Sequence, residues 1–261
     1  MRHSRSTRGA QLRSSARTLA AILALALVVL AGVGVARYVA GVRSLAQRTP
    51  VVVAFGDSLT DGGNFVSHPW PAVLAERLDR QSGHGAVRVV NAGISGNRLL
   101  ADDLGASGVR RFERDALRQP GVRWVIVLEG INDLGYAGSV EPAAPRVTAT
   151  EIIDGYRQLV ARAHAAGVKI YGGTLLPFEG AASGYFAADK EVERQAINAW
   201  IRGSGELDGV VDFDAAVRDP GRPARLRPEF DTGDHLHLNE AGQRAMGEAV
   251  DLRLLAGDAD R

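Results

Sequence analysis

The sequence has 261 residues, of which 46% are hydrophobic and 23% are charged, as in an ordinary globular protein. It contains no cysteine, which excludes disulfides, thiolate nucleophiles, iron–sulfur clusters and cysteine-based zinc sites. The net charge of +1 conceals an asymmetry, because eight arginines and no acidic residue precede Asp57, which leaves 23 basic and 30 acidic residues in the remainder. An acidic body of this kind argues against a nucleic-acid partner.

The first 49 residues are expected to form a segment of their own, followed by a domain at 50–256 and a short tail at 257–261. Five arginines precede an uncharged apolar run at 19–36, an order that is typical of an export signal, and residues 38–50 read as a linker. The alternative interpretation of this run, a buried core helix, is disfavoured, because a core helix does not need to be free of polar residues around its whole circumference. The small residues Gly34 and Ala36 favour cleavage, whereas the length of the run, close to the ~20 residues that span a bilayer, favours a retained anchor. We expect the anchor, and either form places the domain outside the cytoplasm, with membrane contact only through this segment.

Beyond Pro50, short apolar runs alternate with segments of helical periodicity. We predict strands at 51–55, 87–91, 123–128, 169–173 and 210–213. We predict helices at 71–81, 109–119, 151–166, 190–202 and 240–255, the last with Asn239 as its N-cap. Strands that alternate with helices favour right-handed crossovers and a parallel sheet covered on both faces. The sequence therefore predicts a three-layer α/β/α domain.

Polar and glycine-rich clusters follow the first three predicted strands. They read G-D-S-L at 56–59, N-A-G-I-S-G-N at 91–97 and E-G-I-N-D at 129–133. A fourth cluster, D-T-G-D-H-L-H-L-N at 231–239, precedes the last predicted helix. Ligands of open α/β sheets bind beyond the carboxyl ends of the strands. The clusters are therefore expected to meet at one edge of the sheet.

The residue types in these clusters are those of nucleophilic catalysis. A serine hydroxyl needs a base that takes its proton, and the base needs a group that holds its tautomer. Ser58 is the candidate nucleophile, His237 the base, and Asp234 the carboxylate that orients the base. The backbone N–H groups of Ser58 and Gly96 and the side-chain amide of Asn132 are the candidate donors of an oxyanion hole. Glycine suits position 96 because no side chain then blocks the N–H from a substrate.

Taken together, the four clusters resemble the sequence blocks of the SGNH hydrolases, also called GDSL esterases/lipases. The resemblance covers 51–250 and rests on G-D-S-L-T with Ser58, I-S-G-N with Gly96, G-I-N-D with Asn132, and D-H-L-H with Asp234 and His237. It implies a flavodoxin-like fold with a five-stranded sheet of order 2-1-3-4-5, and a reaction that uses neither a metal nor an organic cofactor. The stretches L-E-G-I-N-D-L-G and G-G-T-L-L-P-F-E-G also resemble the acetylxylan-esterase-like branch.

The 231–239 cluster has an alternative interpretation as a metal site, because carboxylates and imidazoles suit zinc or manganese. That site would use Asp231, Asp234, His235 and His237. In the hydrolase interpretation, the two histidines must be told apart. Adjacent side chains diverge, whereas a turn brings positions three apart together, so we expect Asp234 to pair with His237 and the ring of His235 to face away from Ser58.

Other candidates have plainer interpretations as well. Ser58 is also suited to cap a helix, and the N-D pair at 132–133 is also suited to an ordinary turn. We expect Asp57 to anchor its turn through hydrogen bonds rather than to take part in chemistry. The pair His68 and Trp70 is expected to pack at the entry of a helix, the alternative being that it lines the mouth of the site.

The sequence thus predicts an extracytoplasmic serine esterase that acts on a small-molecule or polysaccharide ester. The branch resemblance suggests short acyl groups on carbohydrate. Three alternatives fit the same residues: an acyltransferase that uses the same acyl-enzyme, a lipase or lysophospholipase, and a non-catalytic, envelope-bound carbohydrate-binding module that has kept the fold.

Overall fold

The computed structural model describes residues 49–83, 85–141 and 143–256. The predictions for the arginine-rich start, the apolar run at 19–36, most of the linker and the tail at 257–261 lie outside these residues. Within the described ranges, no helix combines the length and the apolar character needed to cross a membrane.

Five parallel strands form the central sheet: β1 Val51–Gly56, β2 Arg88–Gly93, β3 Val122–Leu128, β4 Lys169–Gly173 and β5 Gly209–Val211. Their order is β2-β1-β3-β4-β5, which confirms the predicted order. β1 and the second half of β3 are fully buried, and their sequences V-V-V-A-F and V-I-V-L show no alternation of apolar and polar residues. Continuous apolar strands are expected where helices cover both faces of a parallel sheet.

The α-helices are α1 Ser58–Asp61, α2 Trp70–Ser82, α3 Gly108–Phe112, α4 Ile131–Tyr136, α5 Ala149–Ala165, α6 Ala188–Gly203, α7 Phe213–Val217 and α8 Glu240–Ala249. A π-helical turn, Glu113–Leu117, continues α3, and a 3₁₀ turn, Leu252–Leu255, follows α8. An antiparallel pair, β6 Arg218–Asp219 and β7 Arg222–Leu226, lies between α7 and α8. Helix α8 contacts α2 and α7, and α5 contacts α3 and α6, so the helices form two groups, as the three-layer prediction requires.

The carboxyl ends of β1, β2 and β3 lie level with one another, because Gly56 pairs with both Gly93 and Leu128. A β-carbon on Gly56 would lie 2.3 Å from Leu128 O, so only glycine fits at this strand end. Within four residues, the three strand ends are followed by Ser58, Gly96 and Asn132. The register therefore places the first three polar clusters at one edge of the sheet.

Helix α8 ends earlier than predicted. It stops at Ala249 rather than continuing to residue 255. The Arg77 guanidinium donates to the carbonyl oxygens of Gly247 (2.5 Å) and Val250 (2.7 Å), which satisfies acceptors at the helix end. The Asp251 side chain then accepts from Arg253 N and begins the separate 3₁₀ turn. The predicted N-cap is confirmed, since Asn239 Oδ1 accepts from two backbone N–H groups of the first turn.

Two other predicted elements are shorter than expected. The helix predicted at 109–119 is α-helical only to Phe112 and then widens into the π-helical turn. The strand predicted at 210–213 ends at Val211, because the Asp212 side chain accepts from Ala215 N and starts α7. Helices α1, α4 and α7 were not predicted, since segments of four to six residues are too short to show helical periodicity.

A buried arginine joins the ends of the first three strands. Arg111, in α3, is fully buried and donates to Gly56 O (2.9 Å), Ala92 O (2.8 Å) and Glu129 Oε2 (3.1 Å). Its Nε donates to the Asn97 side chain at 2.7 Å. These acceptors lie at the end of β1, at the end of β2, directly after β3, and beside Gly96. One cation therefore fixes the sheet edge on which the polar clusters lie.

We expect Arg111→Met to lower the free energy of unfolding by about 3–5 kcal/mol, because it leaves the Glu129 carboxyl and the Asn97 side-chain oxygen buried without this donor. Urea unfolding of both proteins measures the difference. Arg114→Met is the matched control, since the Arg114 side chain is 66% exposed and its loss should change stability little. An Arg111 variant as stable as the parent would contradict this account of the network.

Candidate active site

Ser58 stands at the first position of α1, directly after β1. Asp57 caps the helix, because its Oδ1 accepts from Leu59 N at 2.9 Å, as expected for a residue that anchors the turn. The helix ends after one turn at Gly62, whose φ of +90° is readily adopted only by glycine. The sequence G-D-S-L-T-D-G thus folds into a single turn that presents Ser58 at the strand end.

A hydrogen-bonded chain runs from Ser58 through His237 to Asp234. Ser58 Oγ lies 2.9 Å from His237 Nε2, and His237 Nδ1 lies 2.6 Å from Asp234 Oδ2. Because the carboxylate only accepts, the proton of the neutral imidazole is assigned to Nδ1, which leaves the Nε2 lone pair facing the serine. The expected pairing of Asp234 with His237 is present.

The Asp234 carboxylate is held in its ionised form. Partial burial opposes ionisation, but hydrogen bonds from the backbone N–H and ring of His237 and from Leu236 N outweigh burial and lower the pKa of Asp234 to about 2. Thr232 also donates its hydroxyl hydrogen to Asp234 Oδ1, at 2.9 Å. A carboxylate that stays charged at neutral pH can stabilise a positive charge on the adjacent imidazole.

The neighbouring histidine forms a second, separate pair. His235 Nδ1 lies 2.5 Å from Asp231 Oδ2, and the ring packs against Gly180. Asp231 Oδ1 also accepts from the backbone N–H groups of Gly233 and His235. The four residues of the metal-site interpretation are therefore divided into two Asp–His pairs, and the described part of the chain contains no group of three or more such side chains arranged to hold a metal ion.

Gly96 lies on the other side of Ser58. Its φ is +75°, and a β-carbon there would lie 2.3 Å from Leu104 Cδ1 and 2.8 Å from the Tyr136 hydroxyl. Both the backbone conformation and the close approach of these side chains require glycine. The Tyr136 hydroxyl donates to Gly96 O at 3.1 Å and so supports this turn.

Asn132 lies near the start of α4, and only 4% of its surface is exposed. Its Nδ2 donates to Asn97 O at 2.8 Å, and its Oδ1 accepts from the Tyr185 hydroxyl at 2.7 Å. The next residue, Asp133, accepts from the backbone N–H groups of Leu99 and Leu100, so it ties α4 to the segment after Gly96. The N-D pair is therefore more than a turn, because its two side chains bind two different segments.

These residues open into one cavity of about 580 Å³, which lies in the range of small-molecule sites. Its lining contains the five candidate residues except Asp234, which lies behind His237. The lining side chains that sequence reasoning did not identify are Asp61, Asn64, Phe65, Ser95, Leu104, Tyr136, Tyr185 and Leu236. Phe65 stacks on the His237 ring with centroids 4.0 Å apart. Asp61, Asn64 and Phe65 closely follow G-D-S-L, and Ser95 and Leu236 lie inside the I-S-G-N and D-H-L-H motifs, so the sequence could have identified these five.

His68 and Trp70 lie elsewhere. His68 Nε2 is 3.1 Å from Glu76 Oε1, and Trp70 is fully buried against Phe213 at the start of α2. Neither residue belongs to the lining of the cavity. Their contacts are those of packing at the entry of a helix.

Buried carboxyl groups lie beneath the cavity. Burial raises the pKa of Asp57 to about 7 and that of Asp133 to about 6. Burial also raises the pKa of Glu129 well above its usual range, and the negative charge of Asp57 adds to the effect. Asp57 Oδ2 and Glu129 Oε1 have no hydrogen-bond partner among the described residues. Arg111, which acts on Asp57 and Glu129, and Arg98, which acts on Asp133, therefore only partly offset the effect of burial on these carboxyl groups.

The model of the GDSL-like Lipase/Acylhydrolase family matches residues 54–245, and the chain belongs to this family. It is a carboxylic ester hydrolase. No curated protein matches the chain.

Three solved structures illustrate the likeness in fold. The acetylxylan esterase Axe2 from Geobacillus stearothermophilus is 22% identical, with a TM-score of 0.60 over 80% of this chain and 95% of that chain. A GDSL-like lipase from Bacteroides thetaiotaomicron is 18% identical, with a TM-score of 0.59 over 84% and 96% of the two chains. The α/β hydrolase LAE5 from the metagenome of Lake Arreo, Spain, is 20% identical, with a TM-score of 0.59 over 80% and 97%. At these identities the likeness shows the fold.

The two histidines are expected to respond differently to substitution. His237→Ala should lower kcat by several orders of magnitude, because Nε2 would be the base that takes the proton of Ser58. His235→Ala should lower kcat by about tenfold or less, because its ring binds Asp231 and Gly180 instead. Measuring kcat of both variants at two pH values tests this. A larger loss for His235→Ala would identify His235, paired with Asp231, as the base instead.

The raised pKa of Asp57 predicts a pH-dependent stability. The folded protein binds a proton on Asp57 up to about pH 7, whereas the unfolded chain releases it near pH 4, so this contribution to stability is lost as pH rises between those values. Asp57→Asn keeps the oxygen that caps α1 but cannot ionise. We expect its unfolding free energy to fall less than that of the parent between pH 5 and pH 8, measured by urea unfolding.

Asp154→Asn is the control for this comparison, because it removes a carboxylate from an exposed position. Its stability should follow the pH dependence of the parent. If Asp57→Asn also retains the parent's full pH dependence, ionisation of Asp57 does not limit stability above neutral pH.

Proposed function

We propose that this protein hydrolyses carboxylic esters outside the cytoplasm by way of an acyl-enzyme on Ser58. The observation that carries the proposal is the chain Ser58–His237–Asp234, with contacts of 2.9 and 2.6 Å, which opens into the same cavity as Gly96 and Asn132. The set contains a nucleophile, a base, an orienting carboxylate and fixed donors, which acyl transfer requires.

In the first half of the proposed reaction, Ser58 Oγ attacks the acyl carbon while His237 Nε2 takes the hydroxyl proton. The negative charge moves to the carbonyl oxygen, where Ser58 N–H, Gly96 N–H and the Asn132 amide would bind it. The C–O bond of the ester then breaks, and the imidazolium delivers its proton to the leaving alcohol. Asp234 stabilises the imidazolium during both proton transfers.

In the second half, water replaces the alcohol. His237 takes a proton from the water, whose oxygen attacks the acyl carbon, and the bond to Ser58 Oγ breaks as the proton returns to the serine. The products are the carboxylic acid and free enzyme. An acyltransferase would differ only in the acceptor, an alcohol in place of water. The side chains of His237 and Asp234 are 17% and 40% exposed, so water from the solvent can reach the base.

We propose short acyl groups on a carbohydrate as the substrate. One wall of the cavity carries Asp61 and Ser95, joined by a hydrogen bond of 2.8 Å, whose oxygens can bind sugar hydroxyls. Phe65 is 47% exposed and offers an apolar face that can pack on a sugar ring. The name of the acetylxylan esterase among the structural neighbours supports the same substrate class.

A lipid ester is the second candidate. Leu104 is 52% exposed beside Gly96, and together with Phe65 it gives the cavity an apolar rim. Such a rim suits a longer acyl chain. The two candidates differ in acyl length and can therefore be separated by kinetics.

We also propose that the N-terminal segment holds the enzyme at the membrane with its catalytic domain outside the cytoplasm. The support for this location is the order of the segment, in which arginines precede an apolar run at 19–36. A cleaved signal would leave the same domain outside the cytoplasm but free of the membrane.

A fluorophosphonate probe tests the nucleophile. The parent should be labelled on one serine, and Ser58→Ala should lose both labelling and ester turnover while keeping its unfolding midpoint. Ser67→Ala, which removes an exposed hydroxyl bound to Glu240, should keep both. Persistent labelling of Ser58→Ala would overturn the assignment.

The same enzyme and label test substrate and location. Among 4-nitrophenyl esters of rising acyl length, we expect kcat/KM to be highest for acetate, whereas a maximum at octanoate would favour the lipid candidate.

In cells that express the full chain, the labelled band should appear in the membrane fraction. A labelled band in the medium that lacks the first 36 residues would show a cleaved signal instead.

A further inference from the structure

The orientation of the Asn132 amide is fixed by two hydrogen bonds. Asn97 O only accepts, so the contact of 2.8 Å identifies the Asn132 atom facing it as nitrogen. The Asn132 oxygen then faces Tyr185, whose hydroxyl donates to it at 2.7 Å. The second N–H of the amide is the donor that remains for the cavity that Asn132 lines.

The Tyr185 ring is held firmly behind this amide. Only 6% of Tyr185 is exposed. Its ring lies so close to Gly135 that a β-carbon there would be 2.1 Å from a ring atom. Phe178 and Tyr136 pack on it edge-on, with ring centroids 6.2 and 6.3 Å away. The hydroxyl therefore has little freedom to leave the amide.

A buried lysine binds both of the segments that carry Tyr185 and Asn132. Lys190, in α6, is 4% exposed. Its Nζ lies 2.6–3.0 Å from four carbonyl oxygens, those of Gly135, Ala137, Gly184 and Tyr185, which share its three N–H donors. The first two belong to the end of α4 and the last two to the loop before α6. The cation thus holds the Tyr185 loop against α4, the helix that carries Asn132.

We propose that Tyr185 is a positioning residue for the oxyanion hole, because its hydroxyl holds and polarises the Asn132 amide whose free N–H binds the developing oxyanion. This inference rests on the proposed function, in which Asn132 is one of the oxyanion donors. Although Tyr185 also lines the cavity, its hydroxyl donates to the Asn132 amide oxygen, so the hydroxyl acts through Asn132.

The hydrogen bond gains strength as the reaction proceeds. Donation to the amide oxygen makes the amide N–H a better donor, because hydrogen bonds in a chain polarise one another. The benefit grows with the charge on the substrate oxygen, which is larger in the transition state than in the bound ester. Loss of the Tyr185 hydroxyl should therefore lower kcat and leave KM nearly unchanged.

Tyr185 remains a neutral donor throughout the working range of pH. Burial raises the pKa of Tyr185 well above that of an ordinary phenol, and the negative charges around it add to the effect. Its removal should therefore leave the shape of the kcat–pH profile unchanged. A residue that exchanged protons with the substrate would change that shape.

A double-mutant cycle with Tyr185→Phe and Asn132→Ala tests the proposal. Phenylalanine keeps the ring packed on Gly135, and equal thermal midpoints would confirm that the fold is kept. We expect Tyr185→Phe to lower kcat by roughly tenfold, and Asn132→Ala to lower it by about 10²–10³-fold. In the Asn132→Ala background, Tyr185→Phe should cause no further loss, because its effect passes through the amide.

Tyr171→Phe is the matched control, since it also removes a buried tyrosine hydroxyl, one that donates to Leu254 O away from the cavity. It should leave kcat unchanged. An equal loss from Tyr185→Phe in both backgrounds would overturn the inference, and so would an unchanged kcat in the single variant. If Asn132→Ala itself kept full kcat, the proposed oxyanion hole would fail, and the inference with it.

Discussion

The Arg111 network is the constraint on which the site depends. Where the strands of a sheet end, backbone carbonyl groups lose their partners in the sheet, and a buried one needs another donor. From one rigid plane, Arg111 donates to four acceptors, Gly56 O, Ala92 O, the Asn97 side chain and Glu129. Each acceptor stands within a few residues of a proposed catalytic group. The relative positions of those groups therefore follow from the geometry of one guanidinium.

This arrangement has an electrostatic cost that the fold does not fully remove. Arg111 acts on Asp57 and Glu129 and Arg98 acts on Asp133, yet Asp57 Oδ2 and Glu129 Oε1 have no partner among the described residues. The fold compensates by keeping protons on part of the layer, as the raised pKa of Asp57 indicates. Buried charge beside the proposed nucleophile lowers the stability of the fold. Such a loss is tolerated at a site whose function requires the nucleophile to be held in a fixed position.

The sheet and the proposed triad could be predicted because both correspond to patterns of residues that are close together in the sequence. Unbroken apolar runs mark β1 and β3, and a carboxylate three residues before His237 needs only one turn to reach it. Other features correspond to no such pattern. Tyr185 is 53 residues from Asn132, in a loop without a motif, and their contact depends on how α4 and α6 pack. The burial of Arg111 could not be predicted either, because Arg111 follows another arginine, Arg110, in a segment rich in charged residues.

The two sides of the cavity are built in different ways, and the difference fits the proposed reaction. On the Asn132 side, Tyr185 holds the amide and Lys190 holds the loop that carries Tyr185, and both residues are almost completely buried. On the His237 side, the base is carried by a surface loop, and partly exposed Phe65 covers one face of its ring. An oxyanion donor works best when it need not reorganise as charge develops. A base that must give its proton to an alcohol and then accept one from water needs contact with solvent. Rigidity is therefore concentrated where charge appears, and exposure where protons are exchanged.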